Sequence, residues 1–78
     1  MKAVVHVGLK PGVLDPQGRA IAKSLNDLGF GEVEDVRIGK VITLELGNSS
    51  EDRVREMCEK LLANTVIESY SIEVEAEN

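Results

Sequence analysis

The chain has 78 residues, 42% of them hydrophobic and 29% charged, so one small globular domain spanning residues 1–78 is expected, with a single core. Fourteen acidic side chains against 9 basic ones give a net charge of -5, the wrong sign for a phosphate backbone, and no apolar run reaches the length of a membrane span. A domain this small buries only about 60% of its unfolded surface and gains stability by association, so an oligomer is expected.

Met1–Leu9 lacks the cleavage pattern of a secretory signal, and one cysteine, Cys58, excludes an internal disulfide, so a soluble cytoplasmic protein is expected. Ala3, Val5, Val7 and Leu9 alternate with Val4, His6 and Gly8, the period of a strand with one face buried. A Pro11-Gly12 turn follows, then Asp15 as N-cap and Pro16 at the first helical position. Ile21, Ala22, Leu25 and Leu28 recur at helical spacing, and Gly29 stands where a left-handed cap ends the helix.

The segment Glu32–Ile38 and the alternating Ile42, Leu44 and Leu46 read as a hairpin turning at Gly39-Lys40. Asn48 and Glu51 then fit a capping box for a second helix, whose stripe Val54, Met57, Cys58, Leu61 and Leu62 is expected in the core. Tyr70, Ile72 and Val74 mark a last strand, and the acidic end from Glu75 to Asn78 is expected to fray.

This order predicts an α+β, ferredoxin-like βαββαβ sandwich, a four-stranded antiparallel sheet with two helices on one face. Val5, Val7, Ile42, Leu44, Tyr70 and Ile72 are expected under the helices. Val4, His6, Val41, Thr43, Glu45 and Ser71 are expected on the uncovered face, where another protein can dock.

The residues offer little to catalysis. The single histidine lies mid-strand and Cys58 belongs to the helical stripe, so no nucleophile–base set or metal-ligand spacing is present. Gly8, Gly12 and Gly18 surround the first turn without forming a phosphate-binding fingerprint, and one Phe, one Tyr and no Trp cannot build a stacking platform for RNA. Asp15 and Glu51 each start a helix, where capping and the dipole account for an acid. The unusual stretch is Leu9–Gly18, with two prolines, two glycines, polar Lys10 and Gln17, and apolar Val13 and Leu14; it reads equally as a well-capped turn or a rigid recognition loop.

Leu9–Gly18 with its Lys-Pro-Gly-Val and Asp-Pro-x-Gly pattern, Leu28-Gly29-Phe30, Val36-Arg37-Ile38-Gly39-Lys40 and Leu61–Tyr70 together resemble the PurS family across nearly the whole chain. The resemblance implies a non-catalytic subunit of phosphoribosylformylglycinamidine synthase, an ATP-dependent, glutamine-using C–N ligase of purine biosynthesis. It implies assembly with itself as dimer or tetramer, with the large synthetase subunit (PurL) and with the glutaminase subunit (PurQ), supporting ammonia transfer between them. ATP and Mg²⁺ would sit on the large subunit, with no cofactor, metal or catalytic residue on this chain. On this reading Lys10, Asp15, Gln17, Arg19, Arg37 and Lys40 are candidate polar interface residues, although ordinary solvated charge explains Arg19, Arg37 and Lys40 as well. The alternatives are an ACT-like domain binding an amino acid at the first strand-to-helix loop, and an acylphosphatase-like enzyme, which would need an arginine in that loop.

Overall fold

The computed structural model describes residues 1–75; of the end expected to fray, Glu75 is instead paired with Lys2 in the sheet, and 76–78 lie outside the described residues. Its sheet has three antiparallel strands, β1 (Lys2–Leu9), β2 (Gly39–Glu45) and β3 (Glu68–Glu75), in the order β2-β1-β3. Register follows the alternation read from the sequence: Val5 sits between Ile42 and Ile72, and Ala3 between Leu44 and Val74, all on one face. His6 lies between Val41 and Ser71 on the other face, with its Nε2 3.5 Å from a Glu73 carboxylate oxygen.

The covered face is closed by α2 (Glu51–Met57) and a π-helical turn, Cys58–Leu62. Ser50, not Asn48, caps α2, its hydroxyl accepting from the Arg53 N–H at 3.3 Å. Val54 and Cys58 are fully buried against Ala3, Val5 and Val7, and burial pushes the Cys58 thiol up, as expected of a packing residue. Leu61 departs from its expected core position and is 83% exposed. The turn widens at Cys58, whose carbonyl accepts from the Ala63 N–H at 3.0 Å, and the wider winding rotates Leu61 off the sheet.

Between β1 and β2 runs α1 (Pro16–Asp27), started as expected by Asp15 and Pro16. Its end is a Schellman motif: the Phe30 N–H donates to the Leu25 carbonyl at 2.9 Å, the Gly29 N–H to that of Asn26 at 3.1 Å, and Gly29 holds φ of 104°. The chain then returns along the helix as an extended strap, with Asn26 Nδ2 donating to the Val33 carbonyl at 3.0 Å.

Two expectations are corrected at this point. Glu32–Ile38 is not a strand of the sheet, and Gly39-Lys40 is not a hairpin turn, because the chain passes straight from the strap into β2. Glycine is required at 39 for a different reason: a Cβ there would stand 2.6 Å from the Val7 carbonyl oxygen, at the close approach of β2 to β1. The sheet consequently has three strands among the described residues, and α1 makes no extensive contact with it.

The dimensions show where α1 lies instead. The radius of gyration is 16.0 Å and the longest extent 49 Å, whereas a compact chain of this length would have a radius near 12 Å. Eight strand residues and 12 helical ones laid end to end span roughly 26 Å and 18 Å, which together account for most of that extent. The helix and its strap form an arm that projects beyond one end of the sheet.

Candidate interaction surface

The arm joins the sheet through two crossings, Lys10–Asp15 on the way out and Ile38–Gly39 on the way back, and three of the candidate polar residues lock them together. Asp15 is buried, one carboxylate oxygen accepting from the Gly18 N–H at 2.8 Å and the other from the Ile38 N–H at 2.7 Å. One side chain therefore caps α1 and ties the outgoing crossing to the returning one. The Ile38 bond, then the Gly18 bond, with a smaller contribution from Arg37, hold its carboxyl below the usual range. Arg37 clips the loop from the other side, donating to the Val13 carbonyl at 2.6 Å and to that of Lys10 at 3.1 Å. Lys10 reaches the Thr65 carbonyl at 2.6 Å and anchors the loop to the turn before β3.

Gly18 completes the joint. It is buried on α1, and a Cβ there would stand 2.1 Å from the Val36 carbonyl oxygen, so only glycine lets the strap lie against the helix.

Lys10, Asp15 and Arg37 thus spend their polar atoms inside the chain, and Asp15 is withdrawn from the set available to a partner. Gln17, Arg19 and Lys40 are exposed, and their side chains make no hydrogen bond or ion pair among the described residues. Gln17 and Lys40 line one open cleft of about 290 Å³ with Asp15, Ile38 and Glu68; Arg19 lies outside it. Of the two readings the sequence left open, the structure displays the well-capped turn, internally satisfied, with Gln17 exposed beside it.

Periodicity missed an apolar surface of comparable extent. On the arm, Leu14 is 71%, Leu28 74% and Phe30 49% exposed, with Ile21 also outward. On the sheet, Leu44, Met57, Leu61 and Leu62 line a groove between α2 and β2, rimmed by Arg53, Glu56 and Lys60. The sequence marked Leu44, Met57, Leu61 and Leu62 as core, and nothing in a hydrophobic stripe distinguishes burial within one chain from burial against another.

The comparisons with known proteins meet this geometry over its full length. The family model for PurS, "Phosphoribosylformylglycinamidine (FGAM) synthase", matches residues 2–76. The chain belongs to the PurS family. The PurS subunit of phosphoribosylformylglycinamidine synthase from Bacillus subtilis is 54% identical over 77 residues, covering 95% of this chain and 92% of that protein. The crystal structure of Methanocaldococcus jannaschii PurS matches with a TM-score of 0.88 at 46% identity, over 99% of this chain and 98% of that one. A chain in the structure of PurLQS from Thermotoga maritima matches with a TM-score of 0.80 at 32% identity, over 92% and 93%. As a PurS-type subunit of FGAM synthase, the chain works in purine biosynthesis.

Proposed function

We propose that this chain is the non-catalytic member of the synthase that converts formylglycinamide ribonucleotide, glutamine and ATP into formylglycinamidine ribonucleotide, seating the glutaminase (PurQ) against the large synthetase subunit (PurL). The observation that carries the reading is how the chain uses its polar groups. Asp15, Arg37 and Lys10 hold a rigid joint, while Gln17 and Lys40 remain free around one cleft and a large apolar surface faces outward. That is the make-up of an assembly part. The likeness to a chain of PurLQS supports the same partners here.

Ammonia released at one active site and used at another is lost to water or protonation unless the two sites are held in register, and a rigid adaptor supplies that register. ATP and Mg²⁺ belong to the large subunit on this reading, and the work is done in the cytoplasm. The chain also associates with itself, as dimer or tetramer, and a second copy supplies what a ferredoxin-like sheet lacks here. The amino-acid-binding alternative has less support, because the loop it would use already spends Asp15 and Arg37 on the chain's own backbone.

Replacing Gln17, Arg19 and Lys40 together with alanine removes three side chains that hold nothing in the fold. Complex formation with the two larger subunits, followed by sedimentation, is expected to weaken by roughly tenfold or more while the circular dichroism of the small subunit stays unchanged. Undiminished assembly would show that the polar contact surface lies elsewhere.

A further inference from the structure

We propose that the turn at 64–68, with Val66 at its tip, is the apolar centre of the surface that meets a larger subunit. Val66 enters an apolar pocket of that subunit, whose rim offers a carboxylate to Lys40. The inference rests on the functional reading above and names the part of this chain that makes the contact.

The backbone of the turn is satisfied from within the chain. The Asn64 carbonyl accepts from the Ile67 and Glu68 N–H groups at 3.1 and 2.7 Å. The Asn64 N–H donates to a Glu68 carboxylate oxygen at 2.6 Å, and the Val66 N–H to the Asn64 side-chain oxygen at 3.2 Å. Lys10 closes the frame, its N–H donating to the Ile67 carbonyl at 2.8 Å and its ammonium to that of Thr65 at 2.6 Å. Two of the stretches that stand out in the sequence, 9–18 and 61–70, are thereby tied together at one end of the sheet.

Turn tips ordinarily carry Gly, Asn, Asp or Ser. Here the polar side chains of Asn64 and Glu68 bond back to the turn, and what faces outward is Val66, 80% exposed, with Ile67 at 40%. The hydrogen bonding asks nothing of the Val66 side chain, since the residue contributes only its N–H. A single exposed valine means little by itself. One mounted on a frame of this kind is different, because a β-branched side chain has little χ1 freedom to lose and the turn is already ordered, so docking costs little entropy. Leu14, on the loop that Lys10 ties down, adds a second exposed apolar side chain at this end.

The polar surroundings name the occupant. Glu68 leads from the turn into the cleft of about 290 Å³ that also holds Gln17 and Lys40, both without a partner among the described residues. An apolar centre beside a polar rim is the anatomy of a protein interface. Lys40 is an unpaired cation on a chain of net charge -5, so the partner it selects places a carboxylate there. None of these residues lines the groove between α2 and β2.

Val66→Asp tests this directly, since it puts a charge at the tip without removing a contact that the fold uses. The variant and the parent chain are titrated against each larger subunit separately and against both together. Binding to the subunit that holds the pocket is expected to weaken roughly tenfold or more, with the circular dichroism and the mass of the small subunit alone unchanged. Val66→Ser, which adds no charge, is expected to weaken the same contact by about fivefold. Parent-like binding of Val66→Asp would overturn the proposal. So would a changed mass of the small subunit alone, which would assign the turn to contact between copies. The parent chain judges the functional reading in the same titration: a parent that binds neither larger subunit sinks both, whereas equal binding of parent and variant sinks this inference only.

Discussion

Gly18→Ala is expected to destabilise the protein even though it improves the helix. In a helix interior, alanine is favoured over glycine by about 1 kcal/mol, and at Gly18, in the first turn of α1, the gain would be at most that amount if the helix stood alone. Here the added Cβ meets the Val36 carbonyl oxygen at 2.1 Å, a backbone atom that no rotamer change can move. The strap must shift, and the Asp15–Ile38 hydrogen bond at 2.7 Å shifts with it. Overpacking against fixed structure costs about 1 to 3 kcal/mol, with the broken joint added, so the net loss is expected near 2 kcal/mol. For a domain of this size that lowers the thermal midpoint by roughly 10 °C. Gly31→Ala provides the control, since its Cβ would enter open space and the residue has no positive φ. Calorimetry of both variants at one protein concentration decides the matter; a Gly18→Ala midpoint at or above that of the parent would mean that the strap does not rest on α1.

Asp15→Ala is expected to be the most damaging single change among the candidate polar residues. It leaves the Gly18 and Ile38 N–H groups without an acceptor and releases both crossings at once. Lys23→Ala removes an exposed i,i+4 pair with Asp27, which is worth only about 0.3 to 0.5 kcal/mol. The loss at Asp15 should be clearly larger than that at Lys23. Acid provides a second readout. The two N–H donors favour the carboxylate, so Asp15 titrates below its unfolded value, which is about 3.9. Its contribution is complete above that pH and is lost as the pH falls through the lowered folded value. In Asp15→Asn this acid-dependent step should vanish, narrowing the stability gap between parent and variant below about pH 4. A gap that stays constant as the pH falls below the unfolded value of about 3.9 would place the acid sensitivity elsewhere.

Local features were legible in the sequence wherever one residue has one physical job. Asp15 and Pro16 started α1, Gly29 ended it, and the alternation in β1 and β3 assigned every side chain to the correct face. Position 39 was different, because glycine serves equally for a tight turn and for a close approach of backbones. The hairpin was inferred from the first use, and the structure displays the second. The cap of α2 shows the same limit on a smaller scale, since Asn48 and Ser50 are both competent and the neighbouring backbone selects Ser50.

The candidate site divided along similar lines. Lys10, Asp15 and Arg37 were named as polar interface candidates, but spacing alone could not reveal that their polar atoms turn inward. Leu61 was read as core from helical periodicity, yet it is largely exposed in the single chain. A stripe that another copy covers obeys the same 3.6-residue period as one the chain covers itself. The small size was the hint, and it pointed to association without locating it.

The measurement that tests the assembly role most directly is the turnover of formylglycinamide ribonucleotide by the matching large synthetase and glutaminase subunits, with and without this chain, using glutamine or free ammonia as the nitrogen source. Glutamine-dependent turnover should collapse without the chain and return when it is added, while ammonia-dependent turnover stays the same throughout. Equal glutamine-dependent turnover in its absence would contradict the role of the chain as the part that holds the two active sites in register.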